Sequence, residues 1–306
     1  MGVWYDPSIM ADEKHRPRLL IVGASGFVGS RLALAARERF DVVCTGRRPP
    51  GEAGWVEIDI TDAASVERAF EQARPRYVAL LAAMSNIDRC EVERELAERV
   101  NVEGAVNVAR ACSRHGARLL FTSTDAVFDG TAGIYHEDDP PCPANFYGET
   151  KARAERAVAD VLPSAVIVRL SLVLGTSAAS GGNSYLEKVA GNLKAGNPII
   201  SPTYEVRNPI DVGTLCTLLT ELLLEEGAAG IFHIGASDKI SRYELARAIA
   251  LRLGGDPALI VPQTEPVAGR APRGRDDFLA TTRLSQVCRT RVPTCQEVIE
   301  RAVAMV

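Results

Sequence analysis

From Arg18 onward the chain alternates short, β-branched apolar runs with amphipathic stretches. RLLIV is followed by a helix-like segment to Phe40, then by DVVCT and WVEI, a second helical stretch, and YVALL. This alternation predicts βαβ units, because parallel strands need a crossover and an amphipathic helix supplies one. The pattern continues through a helical periodicity from about Glu91 to His115, the strand RLLFT, a helix after Pro143, and the strand AVIVRL ending at Leu170. Six parallel strands are expected before residue 171. Their nearly continuous apolar runs fit strands covered by helices on both faces.

After Gly175 the pattern changes: SAASGGNS is small and polar, a helix-like stretch runs to Leu193, and Pro198, Pro202 and Pro209 punctuate the next segment. Residues 211–226 are helical again and IFHI at 231–234 reads as a strand, so the chain should return to the sheet and leave it near Ser237. The expected architecture is α/β, a Rossmann-like doubly wound parallel sheet with a smaller, discontinuous C-terminal domain. Residues 18–172 and 208–236 form the first, residues 173–207 and 237–306 the second, and residues 1–17 a disordered tail.

Composition narrows the function classes. The 306 residues are 46% apolar and 24% charged, a globular make-up. The longest apolar stretch, Thr214 to Leu224, falls short of the roughly 18 residues that a membrane span needs. With 35 basic against 39 acidic residues, there is no global electrostatic case for nucleic acid or an anionic membrane, so any anion needs a local site. The seven cysteines are scattered without a C-x-x-C pair, which reads as reduced thiols rather than a disulfide framework or a metal site. The first 17 residues lack the apolar core of an export signal, and the cytoplasm is the expected compartment.

The first local anion site lies in Leu19-Leu-Ile-Val-Gly-Ala-Ser-Gly-Phe-Val-Gly-Ser30, between a strand and a helix. Gly23 permits a tight turn, Gly26 lets a pyrophosphate approach backbone N–H groups, and Gly29 lets helix and strand pack closely. Ser25, Phe27 and Val28 complete this turn. At the end of the second strand, where NAD enzymes carry an acidic residue for the ribose hydroxyl, the chain has Arg47 and Arg48. Two guanidinium groups suit a 2′-phosphate, so NADP(H) is expected in preference to NAD(H). Asp59 and Ile60 follow the third strand and are expected to frame the adenine.

The second constellation is Tyr147-Gly-Glu-Thr-Lys151, preceded by the strand RLLFTST that ends at Thr124. Tyr147 and Lys151 are four residues apart at a helix start and so share a face. An ammonium beside the phenol, helped by a cationic nicotinamide ring, would favour phenolate, making Tyr147 a candidate proton donor to a carbonyl oxygen that Thr124 could also bond. Asp125 has no catalytic case of its own.

Taken in order, the glycine turn, the Ser-Thr strand end and Y-x-x-x-K resemble the extended short-chain dehydrogenase/reductase superfamily over residues 18 to about 290. The resemblance implies Thr124, Tyr147 and Lys151 as a catalytic trio with a nicotinamide cofactor that Lys151 also binds, and Ser123 as a fallback hydroxyl and substrate contact. Ser123-Thr-Asp-Ala-Val-Phe-Asp-Gly130, Tyr135-His-Glu-Asp-Asp139 and the Pro143 to Lys151 stretch are similar to the dTDP-4-dehydrorhamnose reductase branch. LAAMSNIDRCE at 81–91 resembles that branch's N-A-A-x-T-x-V-D-x-A-E, which implies Ala82 and Ala83 on the cofactor, and Arg169-Leu-Ser resembles its R-T-S. The chain departs from the branch at Ala271-Pro-Arg-Gly-Arg-Asp-Asp-Phe-Leu279, where a proline precedes Arg273, at Ala126 and at Leu81.

Arg207 and Arg273 are candidates for a substrate diphosphate. His233, inside IFHI, reads as a core histidine, the acidic loop around His136 as surface, and Asn101 as a helix-surface asparagine in preference to one that orients an active-site water. The function implied is NADP(H)-dependent reduction of a keto group, at C4, on a nucleotide-activated deoxysugar. The alternatives are an NAD-dependent nucleotide-sugar 4-epimerase and a non-catalytic NADP-binding regulatory subunit like that of methionine adenosyltransferase. A small-molecule substrate is the expected partner, and a homodimer is compatible with this reading.

Overall fold

The computed structural model describes residues 16–48, 51, 54–178 and 184–306. The expected tail, apart from Arg16 and Pro17, and most of SAASGGNS therefore lie outside the described residues. Seven strands form the main sheet: β1 (Arg18–Val22), β2 (Asp41–Gly46), β3 (Trp55–Glu57), β4 (Tyr77–Leu80), β5 (Arg118–Thr124), β6 (Val166–Leu170) and β7 (Gly230–Ile234). Their spatial order is β3-β2-β1-β4-β5-β6-β7, and every pairing is parallel. This is the doubly wound arrangement that the alternation predicts, and the late strand does return to pair with β6. The strand order reverses between β1 and β4, which opens a crevice at their carboxyl ends.

Among the described residues the longer helices that complete the frame are α1 (Phe27–Ala35), α2 (Ala63–Ala73), α3 (Gly104–His115), α4 (Phe146–Val161), α5 (Tyr185–Ala195), α6 (Val212–Leu224), α7 (Arg242–Arg252) and α8 (Cys295–Val303). Period-2 alternation sends Leu19 and Ile21 to one face of β1, with the apolar sides of α1 and α6, and Leu20 and Val22 to the other, with α2, α3 and α4. Both layers are fully buried, as the unbroken apolar runs require. The smaller C-terminal part pairs Ile199–Pro202 with Ile260–Gln263 and packs both against α7, while Val206–Arg207 pairs antiparallel with Ile240–Ser241. Among the described residues no helix is long and apolar enough to cross a membrane.

Helix starts are specified by side chains. Asp62, Asn145, Ser184, Asp211, Ser241 and Thr294 each accept a backbone N–H at the start of α2, α4, α5, α6, α7 and α8. Two helices lack a side-chain cap: α3, which continues directly from the helical turn Arg99–Glu103, and α1, which begins at Gly26. The first N–H groups of α1 are therefore left for another acceptor.

One buried ion pair ties α4 to the sheet. Arg169 on β6 and Glu155 on α4 are almost fully buried, with N···O distances of 2.8–3.2 Å. His233, beside Arg169 in register, is fully buried and bonds Ala280 O through Nδ1 at 3.1 Å. Burial and then the Arg169 charge pull its pKa down to about 3, so it is the neutral core histidine expected. Arg169→Met should cost about 3–5 kcal/mol by stranding Glu155, while adding Glu155→Leu should recover most of that loss. Urea unfolding of both variants checks this, and a double variant no more stable than the single one contradicts it.

Candidate active site

A cleft of about 950 Å³ opens at the carboxyl ends of β1, β4, β5 and β6. At its floor the glycine turn divides the work of its three glycines. Gly23 has φ +100°, and a Cβ there would lie 2.8 Å from Ala82 N. A Cβ on Gly29 would lie 2.1 Å from Gly23 O, so that glycine is fixed by helix packing. At Gly26 the nearest contact is 3.3 Å and the residue is exposed, so protein packing alone does not demand it. With Ser25 it borders the uncapped start of α1, a ready site for an anion. Phe27, Val28, Ala82, Ala83, Asp59 and Ile60 also line the cleft, so the structure brings these expected cofactor residues together.

Arg47 lines the cleft, whereas Arg48 is exposed outside its lining. Neither is ion-paired among the described residues. The sequence places no carboxylate next to this pair, but the fold brings Asp59 within reach of the Arg47 charge. Asp59 is held below its ordinary pKa mainly by hydrogen bonds from Thr61 Oγ1 and N (2.7 and 2.9 Å), with Arg47 contributing less.

Tyr147 and Lys151 occupy the buried face of α4 and line the cleft with Thr124 and Ser123. The Lys151 ammonium donates to Thr122 O at 2.8 Å and stands 4.0 Å over the centre of the Phe121 ring. Burial pulls its pKa from 10.5 to about 7, with Glu155 opposing. Burial raises the Tyr147 phenol, the Asp125 charge adds to the rise, and a hydrogen bond with Thr124 lowers it. In the protein without ligand, desolvation therefore keeps the proton on the phenol, while the phenolate expectation concerns the protein with a cationic nicotinamide bound. Thr124 Oγ1 accepts from Ala126 N at 3.2 Å and donates to Asp125 at 3.1 Å. Ser123 Oγ is buried without a hydrogen-bond partner among the described residues.

The candidate diphosphate arginines line the cleft but are committed elsewhere. Arg207 is nearly buried between Asp125 (3.2 Å) and Asp277 (2.9 Å) and donates to Gly274 O at 2.9 Å. Arg273 pairs with Asp88 at 2.8 Å. Around His136 the carboxylates have structural partners: Glu137 accepts Arg283 N, Asp138 pairs with Arg283, and Asp139 accepts His136 N.

The family model described as the RmlD substrate binding domain matches residues 17–306. The chain belongs to the dTDP-4-dehydrorhamnose reductase-like branch of the extended short-chain dehydrogenases/reductases. It is 35% identical over 276 residues to the dTDP-4-dehydrorhamnose reductase of Streptomyces griseus, covering 88% of this chain and 87% of that one. It is 30% identical over 278 residues to methionine adenosyltransferase 2 subunit beta of Xenopus laevis, covering 88% and 82%. The Bacillus anthracis dTDP-4-dehydrorhamnose reductase solved in complex with NADP superposes with a TM-score of 0.87 at 26% identity, over 95% of this chain and all of that one. The main sheet is accordingly an NAD(P)-binding Rossmann fold of this branch.

Two residues beside the cleft have structural roles that the favoured sequence reading did not give them. Asn101 is buried, not on a helix surface: it bonds Met84 N (2.8 Å), Met84 O (3.1 Å) and Thr150 Oγ1 (3.0 Å). A π-helical turn over Arg99–Glu103 rotates it inward, and regular helical periodicity gives no sign of that. Gly148 is the other: a Cβ there would meet Ala126 O at 1.9 Å.

The Lys151 shift fixes a pH dependence. Between about pH 7 and its ordinary 10.5 the unfolded chain binds a proton that the folded protein does not. Stability from this group therefore rises with pH across that window. In ligand-free protein the stability of the unmodified chain should climb relative to Lys151→Met from about pH 7 to about pH 10. Urea unfolding at several pH values reads the difference, and one that stays constant contradicts the shift.

Proposed function

We propose that this protein reduces a keto group, at C4, on a nucleotide-activated deoxysugar, with NADP(H) preferred over NAD(H). The observation that carries the reading is a buried Tyr147 beside Thr124 in a cleft whose floor is an uncapped helix N-terminus. The fit to a dinucleotide rests on that free N-terminus and on Gly26, which leaves the backbone open to a pyrophosphate. Ser25 to Gly29, Ala82, Ala83, Asp59, Ile60 and Lys151 would hold the rest, and Arg47 a 2′-phosphate. When bound, a reduced nicotinamide supplies the hydride.

Tyr147 delivers its proton to the carbonyl oxygen as negative charge develops there. A phenol held above its ordinary pKa is in the right protonation state for that transfer at neutral pH. Thr124 bonds the same oxygen and, with the Lys151 ammonium, stabilises the phenolate left behind. Ser123 offers the unpaired hydroxyl to the sugar. Residues 18–172 and 208–236 are assigned to the cofactor, and 173–207 with 237–306 to the substrate. The relation to the methionine adenosyltransferase subunit supports a second reading, cofactor binding in the service of a partner protein without turnover.

NADPH should bind more tightly than NADH, and Arg47→Ala should erase most of the difference, with Arg48→Ala doing less. Calorimetric dissociation constants check this, and equal affinities in the unmodified chain contradict it. Tyr147→Phe should lower turnover by about 10²–10⁴-fold while sparing NADPH binding. Single-turnover assays with a panel of nucleotide-4-keto-sugars decide between the two readings. The partner-protein reading requires no ketoreduction by the unmodified chain.

A further inference from the structure

Three buried polar atoms around the cleft lack hydrogen-bond partners among the described residues, apart from those at Ser123 and Asp277. They are Ser171 Oγ beyond β6, Tyr185 OH at the first residue of α5, and Arg242 Nε at the first residue of α7, and all three residues line the cleft. Desolvating a polar group without pairing it is costly, so such a gathering points to a ligand.

The charges say of what kind. Five arginines line the cleft: Arg47, Arg89, Arg207, Arg242 and Arg273. Arg89 is held by Glu93 through bonds of 2.7 and 2.8 Å, Arg207 by Asp125 and Asp277, and Arg273 by Asp88. Arg47 and Arg242 are the two with no ion pair among the described residues, and Arg47 stands at the β2 end assigned to the cofactor. Arg242 instead stacks on Tyr185, with its guanidinium carbon 4.1 Å from the ring centre. Stacking fixes the plane of the guanidinium and leaves its edge donors for an oxyanion. Tyr185 is itself anchored, because Ser184 caps α5. The Arg242 charge reaches Asp125 without forming an ion pair.

We infer that Arg242, stacked on Tyr185, holds the diphosphate of the nucleotide-sugar substrate. The inference rests on the proposed nucleotide-sugar substrate. Arg207 is in contact with Asp125 and Asp277 and Arg273 with Asp88, whereas Arg242 has no acidic partner among the described residues and keeps its edge for a ligand.

The test is calorimetric titration of dTDP and UDP into the full chain loaded with NADPH, for the unmodified protein and for Arg242→Gln. The variant should weaken the preferred nucleoside diphosphate by about 10- to 100-fold, the range for losing a charge-assisted pair. Its NADPH affinity should hold, and its kinetic loss should fall on KM rather than kcat. Unchanged diphosphate affinity overturns the inference, as does an NADPH affinity that falls by the same factor, which would assign Arg242 to the cofactor. If the unmodified chain binds neither nucleoside diphosphate nor any nucleotide sugar, the nucleotide-sugar reading falls first. Phenylglyoxal modification of the unmodified protein, mapped by mass spectrometry, makes the test independent of the variant's folding. The preferred diphosphate should slow modification of Arg242 but not of Arg252, and equal rates at Arg242 with and without it refute the assignment.

Discussion

The geometry of the cleft depends on how closely α4 can approach the turn after β5. At Gly148 no side chain fits, because a Cβ would stand 1.9 Å from Ala126 O and 2.9 Å from the Pro143 ring. The absence of that one carbon lets the first turn of the helix lie against the strand end, placing Tyr147 beside Thr124 and Lys151 on Thr122 O. Other contacts hold the approach in place. Asn145 caps Gly148 N at 2.9 Å and reaches Pro272 O at 2.9 Å, coupling the helix start to the C-terminal loop. Asn101 couples Met84, beyond β4, to Thr150 on the same helix. The Arg169–Glu155 pair fixes its next turn to β6. A single helix is thus braced at three levels, and its reactive face is dry.

Dryness sets the electrostatics. In water a neighbouring ammonium would pull the phenol toward its anion, but here both groups lose solvent, and desolvation disfavours each charge. Tyr147 moves up and Lys151 moves down, so the pair tends toward neutrality before anything binds. That is the useful starting point for reduction, which ends with a proton on the substrate and charge on the phenol. The same balance governs the carboxyls around Arg207. Burial pushes the Asp125 and Asp277 carboxyls up, Asp277 to about 8, and the Arg207 charge beside them offsets only part of that rise.

The sheet was readable because its signals are local and repeated: seven apolar runs, most of them separated by a helix, and a glycine turn after the first. Gly23 and Gly29 act through backbone approach, which their spacing encodes. Tyr147 and Lys151 share a face because four residues make about one helical turn. What the sequence concealed involves partners distant along the chain. The commitment of Arg207 to Asp277 joins residues 70 apart, and that of Arg273 to Asp88 joins residues 185 apart. Asn101 was hidden by the π-helical turn, which breaks the periodicity used to place it. The Tyr185–Arg242 stack joins two helix starts that no local pattern connects.

The central claim is that burial, rather than the lysine charge, governs the ionisation of Tyr147 before ligands bind. Tyrosine labelled with carbon-13 at the phenol carbon reports this directly by nuclear magnetic resonance, with the signal assigned by its loss in Tyr147→Phe. In the ligand-free protein the Tyr147 resonance should stay at its protonated position past pH 10, where an ordinary tyrosine is half ionised. A midpoint below pH 10 would show that the ammonium wins, and would contradict the account.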